Sequence, residues 1–271
     1  MTIMQRSGFD MHTASITPLN QRRGINNRLL LALPPATLER IKQLSETVSL
    51  VRGQQIEIAG QPIKCINFVN RGLVCATKIL EDGRIVEIAA IGTEGTPEFV
   101  ALLGMDRSIV DMVVHIPGTA LRVGREDFMR EMENDKLLRQ LMQRYVRFGL
   151  SEIVRHIACS RLHHVDQRCC RWLLIAHDHA LSDEFLLTHE ELALMLGYQR
   201  AGVSIAMSSL VKAGLIQHKR GKVIVSNRPG LEAASCECYR EMQNELDEFL
   251  PRQKKAAEVF EFVPNEIVSR R

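Results

Sequence analysis

What this sequence lacks narrows its reading quickly. No apolar run approaches the ~18 residues that a membrane-crossing helix needs. The first twenty residues are polar and hold no apolar core, which argues against a secretory leader. A cytoplasmic setting is therefore expected, and with it reduced thiols for the seven cysteines. There is no Gly-x-Ser-x-Gly elbow and no His-Glu-x-x-His helix. The stretch Gly214 to Lys222 is no phosphate loop, because its glycines are too far apart and Val223 follows the lysine. A β-roll metalloenzyme of the cupin type needs two or three histidines together in its β-rich part, and only His115 lies there. No enzyme class survives these absences. Paired Cys-x-x-Cys spacings and internal repeats are missing as well.

One further absence is local. Between Leu192 and Leu231 there is no acidic residue, whereas Arg200, Lys212, Lys219, Arg220, Lys222 and Arg228 are all basic. The net charge of the whole chain is only +3, so a locally basic module sits in a nearly neutral protein. A phosphate backbone selects that distribution electrostatically.

At 271 residues, 45% hydrophobic and 25% charged, the chain is long enough for one or two globular domains. Residues 1–27 show no apolar period and read as a mobile tail. A short helix is expected over residues 35–47, with Leu38, Ile41 and Leu44 on one stripe. Residues 48–123 are rich in β-branched side chains. Turn signals punctuate them at Arg52-Gly53, Ala59-Gly60, Asn70-Arg71-Gly72, Asp82-Gly83 and Pro117-Gly118, which predicts short strands in a β-sandwich or roll. Helical patterning returns at Glu126. Residues 136–161 carry Leu138, Met142, Tyr145, Val146, Gly149, Ile153, Val154 and Ile157 near a 3.6-residue period. Such a helix is about 39 Å long, too long for a small roll to cover alone; a second copy of itself is the expected cover, with packing inside its own chain as the alternative.

The last block reads as three helices and a hairpin. Residues 165–177 place Cys169, Trp172, Leu173 and Ala176 on one side. Thr188-His189-Glu190-Glu191 is a capping box, and its helix runs through Leu192, Ala193 and Leu196 to Gly197. A second helix, residues 200–213, turns Val203, Ala206, Met207 and Leu210 inward and stops at Gly214. Leu215-Ile216 and Val223-Ile224-Val225 form two strands around the basic tip Lys219-Arg220-Gly221-Lys222. Residues 231–249 read as a further helix before a loose tail. Helix, glycine turn, helix and basic wing are the parts of a major-groove reader, whose second helix aims its first turns at base edges. The expected DNA-contacting set is Thr188, His189, Gln199, Arg200, Ala201, Gly202, Ser204, Ile205, Lys219, Arg220 and Lys222. Within it, Arg200 can grip a guanine through O6 and N7, Gly202 and Ser204 approach phosphate, and the wing cations clamp the flanking backbone.

The pattern Leu187-Thr188-x-x-Glu191-Leu192-Ala193-x-x-Leu196-Gly197, Arg200-x-x-Val203-Ser204, Leu210, Gly214-Leu215-Ile216 and Gly221-Lys222-Val223 resembles the winged helix of the Crp–Fnr transcription regulators. The resemblance extends over residues 28–230. It implies an α+β organisation: a β-roll sensor of the cyclic-nucleotide-binding kind over residues 28–130 and a dimerisation helix over 131–162. A winged helix-turn-helix follows over 163–230, with a helical extension and tail over 231–271. It also implies a homodimer on a palindromic duplex and a sensor that repositions the winged helices. RNA polymerase is a candidate partner, with no contact surface legible in the sequence. Arg200 matches the family's reading helix, but Ala201 and Ile205 replace a glutamate and a second arginine, so a different DNA site is expected. A docking protein of the same shape without DNA binding is the competing reading.

For the sensor, the resemblance implies an effector site at Glu98, Arg107 and Ser108. Pro97 and Ile109 replace the small residues of the cyclic-nucleotide pattern, and Ile153-Val154 offer no hydroxyl to a purine, where an unpaired edge costs about 1–3 kcal/mol. No cysteine precedes Cys65, which argues against the iron–sulfur branch of the family. Haem would need an axial ligand such as Cys65, Cys75 or His115. The expectation is an unidentified signal and no resident cofactor, with cyclic-nucleotide, haem or redox sensing as alternatives. Five of the nine histidines fall between His156 and His179. His156, Cys159 and His163, at i, i+3 and i+7, share a helical face that tetrahedral zinc could use, but without paired Cys-x-x-Cys spacing the expectation is no metal. Cys236-x-Cys238 reads as a pair of helix thiols, with redox sensing as the sharper alternative.

Overall fold

The computed structural model describes residues 24–180 and 182–250. Most of the expected N-terminal tail, and all of the C-terminal one after residue 250, lies outside the described residues. Residues 24–27 are not loose. Asn27 is buried; its side chain accepts from the Leu30 amide and donates to the carbonyls of Val69 and Gly95. It thereby caps α1 (Arg28–Leu31). Helix α2 (Pro35–Gln43) starts on a proline and ends four residues short of expectation. From Ser45 the chain pairs with a neighbouring strand, and Val48 and Leu50 turn inward at the period of two.

Five strands form one antiparallel sheet: β1 (Ser45–Leu50), β2 (Gln55–Glu57), β3 (Cys65–Ile79), β4 (Ile85–Ile91) and β5 (Asp111–Gly124). The order is β1-β5-β3-β4, with β2 also on β5. Two expected turns are not turns. Asn70-Arg71-Gly72 and Pro117-Gly118 lie inside the long strands β3 and β5, where the register slips between Val69 and Val74. These are bulges, which bend a strand and raise its twist. The backbones approach so closely there that a Cβ on Gly72 would lie 2.4 Å from the Ile116 carbonyl oxygen, and one on Gly118 2.0 Å from that of Arg71. Glycine is what allows one sheet to bend into a roll.

Strand β3 is buried almost throughout, as a strand covered on both faces must be. Val69, Val74 and Ala76 fill the roll with Met112 and Val114. Ile66 and Phe68 pack on the N-terminal helices, α3 (Arg125–Asn134) and α4 (Lys136–Leu162). Leu73 and Cys75, further along, meet α5 (Val165–Ala180).

Helix α4 has the expected length, but its apolar stripe serves two purposes. Leu138, Met142, Tyr145 and Val146 are buried against their own roll. The tyrosine hydroxyl donates to the Thr96 carbonyl and accepts from the Thr96 amide. Leu150, Val154 and Ile157, at i, i+4 and i+7, remain exposed. A Cβ on Gly149 would meet no described neighbour within 4 Å.

The C-terminal half contains β6 (Glu184–Leu186), α6 (His189–Leu196), α7 (Arg200–Lys212), β7 (Ile216–Lys219) and β8 (Lys222–Val225). The three strands form a second sheet in the order β6-β8-β7. The single helix expected after it is two, α8 (Arg228–Ala234) and α9 (Glu237–Phe249), because Ser235 and Cys236 are extended. Among the described residues no helix is long and apolar enough to cross a membrane.

The two halves share one core. Leu73, Cys75 and Ile116 of the roll pack with Cys169, Trp172 and Leu173 of α5 and with the inner residues of α6 and α7. The Trp172 indole donates to the buried Glu87 carboxylate at 3.0 Å, and its ring meets His115 edge-on at 5.0 Å. Trp172→Phe should therefore cost about 1–3 kcal/mol, because it orphans a buried acceptor. In a Glu87→Leu background the same change should cost much less. Urea denaturation of the four proteins in that cycle measures both.

Candidate nucleic-acid interface

The capping box forms as the sequence requires. The Thr188 hydroxyl accepts from the Glu191 amide at 3.1 Å, and the Glu191 carboxylate accepts from the Thr188 amide at 2.8 Å. Gly197 ends α6 in the left-handed region. After a short turn Gln199 takes the N-cap position of α7, without a side-chain capping bond. Val203, Ala206, Met207 and Leu210 hold α7 to the core, leaving Arg200, Ala201, Ile205 and Ser208 outward. Ile205 is 70% exposed, a large apolar side chain left uncovered by the described residues.

Beside α7 stands the wing. Strands β7 and β8 meet Lys219 to Lys222 through the two-residue turn Arg220-Gly221, both with positive φ, 52° and 75°. That is the backbone a tight hairpin demands, and placing arginine there puts a cation at the tip. Among the described residues, neither Lys219 nor Arg220 has an ion-pair partner.

Other members of the expected set have internal duties. His189 Nδ1 lies 3.0 Å from the Ser204 hydroxyl, and its ring stacks on His218 at 4.4 Å. These two residues tie α6 to α7 and to the wing, and burial lowers the pKa of His189. Gly202 lies against the half-exposed Tyr198 ring, which a Cβ there, 2.5 Å away, would push aside. Lys222 is paired with Glu184 on β6. Arg200 is exposed but has Glu190 at 3.2 Å. Although the segment itself is free of acids, the fold brings Glu184 and Glu190 to its edge. The first lies on β6 and the second in the first turn of α6, and the charge pattern of the reading helix and wing does not reveal either.

Residues 167–234 match the family model described as the Crp-like helix-turn-helix domain. The chain carries a Crp-like helix-turn-helix domain. The fold around it is that of the Crp/Fnr transcription regulators. FixK2 from Bradyrhizobium japonicum superposes with a TM-score of 0.61 at 18% identity, over 71% of this chain and 98% of that one. A CRP-family transcriptional regulator from Thermus thermophilus gives 0.58 at 19%, over 69% and 96%. The c-di-GMP-responsive global regulator CLP of Xanthomonas campestris gives 0.57 at 16%, over 71% and 99%. A comparison with curated protein sequences gave no match. The α+β organisation expected from the sequence is the one observed.

The residues expected to hold an effector each have partners within the roll. Glu98 is buried, and its carboxylate accepts from the Asn67 amide and side chain and from the Thr96 hydroxyl. Arg107 is exposed and donates to the Gly60 carbonyl, while the Ser108 hydroxyl donates to the Val110 carbonyl. A cavity of about 220 Å³ does open in the roll, lined by Glu57, Lys64, Cys65, Asn67, Ser108 and Arg122 among others. Arg122, which donates to the Asn67 side chain, and Lys64 are the cations that line it.

One oxygen of Glu57 is buried without a partner among the described residues. Burial, aided by the negative charge of Glu98, pushes the Glu57 carboxyl up to about 7. A carboxyl raised in the folded state favours folding while protonated; that contribution falls as pH rises from the unfolded value near 4.5 to about 7. Glu57→Gln should therefore raise Tm at pH 8 relative to the parent and change it little at pH 4, as calorimetry at the two pH values would read.

Proposed function

We propose that this protein is a homodimeric, sequence-specific DNA-binding transcription regulator whose helix α7 enters the major groove. The observation that carries this reading is the outer face of α7. Arg200, Ala201, Ile205 and Ser208 are left uncovered by the described residues, and the face lies beside a wing tip whose two cations, Lys219 and Arg220, have no ion-pair partner among them. Arg200 is the base reader, once duplex draws it from Glu190. Ala201 and Ile205 can offer only apolar contact, as to a thymine methyl. Lys219 and Arg220 hold the flanking phosphates; Thr188, Gln199, Gly202 and Ser204 shape the surface, and Lys222 contributes once released from Glu184.

The exposed stripe Leu150, Val154 and Ile157 supports the dimer, because it repeats at heptad-like spacing on the helix that the family uses for pairing. The roll is read as the sensor of a signal that its residues do not name, entering at the 220 Å³ cavity. From there the route to the DNA-binding end is short. Arg52, on the roll, pairs with Glu191 of the capping box and donates to the Leu186 carbonyl.

Arg200→Ala should weaken the cognate site by about 1–3 kcal/mol and relax selection at one base pair, whereas Lys219→Ala should weaken all duplexes alike and lower the salt slope. Selection and sequencing of bound genomic fragments, followed by titration at several salt concentrations, tests both and gives the half-site spacing. Absence of duplex binding at low salt, with and without cell extract, would leave a docking protein as the better reading. Val154→Asp should convert the dimer to monomer in sedimentation and weaken operator binding, with the far-ultraviolet circular dichroism retained.

A further inference from the structure

Four metal-ligating side chains converge at the joint between α4 and α5. Cys159 lies in the last turn of α4 and His163 is its C-cap. Cys236 is the N-cap of α9, and Cys238 lies in its first turn. Their ligand atoms all lie within 4.8 Å of one another. In the sequence Cys159 and His163 share a helical face with His156, and no metal is expected there. His156 instead lies within electrostatic reach of Arg168 and Arg171, and the fold supplies the remaining two ligands from 73 residues or more downstream.

We infer that Cys159, His163, Cys236 and Cys238 form a mononuclear tetrahedral zinc site that staples α9 to the end of α4. The distances fit the ion. Zinc bonds of about 2.3 Å to sulfur and 2.0–2.1 Å to nitrogen imply tetrahedral edges of about 3.8 Å between sulfurs and about 3.6 Å between sulfur and nitrogen. Cys159 Sγ lies 3.7 Å from Cys236 Sγ, and Cys238 Sγ lies 3.6 Å from His163 Nδ1. A two-iron cluster would spread its ligands over two metal atoms, and this set closes around one point. Three thiolates and an imidazole are the donors zinc takes in closed structural sites.

The surroundings fit as well. His163 offers Nδ1 to the cluster, while its Nε2 lies 3.2 Å from the Glu237 carboxylate. A metal-bound histidine needs such a partner to fix its tautomer. Three thiolates and one dication leave a net charge of −1. The Arg171 guanidinium lies within electrostatic reach of all three sulfurs, and its buried Nε has no partner among the described residues. The first turn of α9 adds the positive end of a 13-residue helix. Finally, the three buried cysteines touch none of the three larger apolar cores and form a cluster by themselves, too small to hold a helix end by hydrophobic burial. Binding takes up one zinc ion and releases the three thiol protons to solvent.

The test is made on the full chain, purified without oxygen. Elemental analysis should find about one zinc per chain. After chelation and dialysis, cobalt(II) should give the sulfur-to-cobalt charge-transfer bands and intense visible absorption of a tetrahedral thiolate site. Cys238→Ser and Cys159→Ser should lower cobalt affinity at least tenfold, and Cys65→Ser, outside the cluster, should leave it unchanged. X-ray absorption at the zinc edge of the unmodified protein should show three sulfurs and one nitrogen, a readout independent of whether the variants fold. Zinc-free protein with no tetrahedral cobalt spectrum would overturn the site. So would a Cys159–Cys236 disulfide found by peptide mapping of the anaerobic, metal-free chain.

Discussion

Everything in the C-terminal half rests on the burial of α5. Arg168, Cys169 and Cys170, then Trp172 through Ala176, are all buried, so the helix is covered nearly all round, as only a central helix can be. One side lies against Leu73, Cys75 and Ile116 of the roll, and the other supports α6 and α7. Helix α6 has eight residues, far below the length at which a helix persists alone. It holds because α5 packs beneath it and because the buried Arg168 guanidinium donates to the Leu196 carbonyl at its C-terminus, where a cation also meets the negative end of the helix dipole.

The reading helix is thereby tied to the sheet by a seam and not by a linker. Glu191 holds the Thr188 amide and the Arg52 guanidinium at once, so the start of the helix-turn-helix is completed by a residue of the roll. The rest of the seam is short of charge. Burial lowers the His115 pKa to about 4, which leaves the ring neutral near pH 7, and burial raises the Glu87 carboxyl while the Trp172 indole stabilises its ionised form. A seam whose polar groups are few and matched can be altered by moving one partner, as the proposed coupling of the roll to α7 requires.

Much of this was legible in the sequence because local rules govern it. The capping box, the glycine stop at Gly197, the inward face of α7 and the basic wing depend on neighbours within four residues, or within one hairpin. The bulges at Asn70-Arg71-Gly72 and Pro117-Gly118 were not legible, since a glycine signals a turn and a close strand crossing alike. The burial of both sides of α5 was hidden by its central place, which removes the amphipathic period. Glu190 beside Arg200, and Cys236 and Cys238 beside Cys159, are pairings across 10 to 79 residues that only the folded chain decides.

Helix α4 brings these constraints together, because its surface is divided three ways. One face is spent on its own roll. A second is taken by α9, which runs antiparallel along it. Phe249 stacks on Phe148 at 5.9 Å, the Arg155 guanidinium meets Glu245 at 2.6 Å, and the cysteines and His163 converge at the far end. Toward the C-terminal end of α4, Leu150, Val154, Ile157 and Leu162 stay exposed, Val154 at 67%. In the proposed dimer a partner helix would cross near the C-terminal half of α4, where the joint to α5 lies. Whatever fixes α9 on the neighbouring face then also fixes which face is free. The cysteine–histidine cluster, at the end of α4 beside the joint to α5, is placed to hold the proposed dimer face and the helix-turn-helix in one geometry.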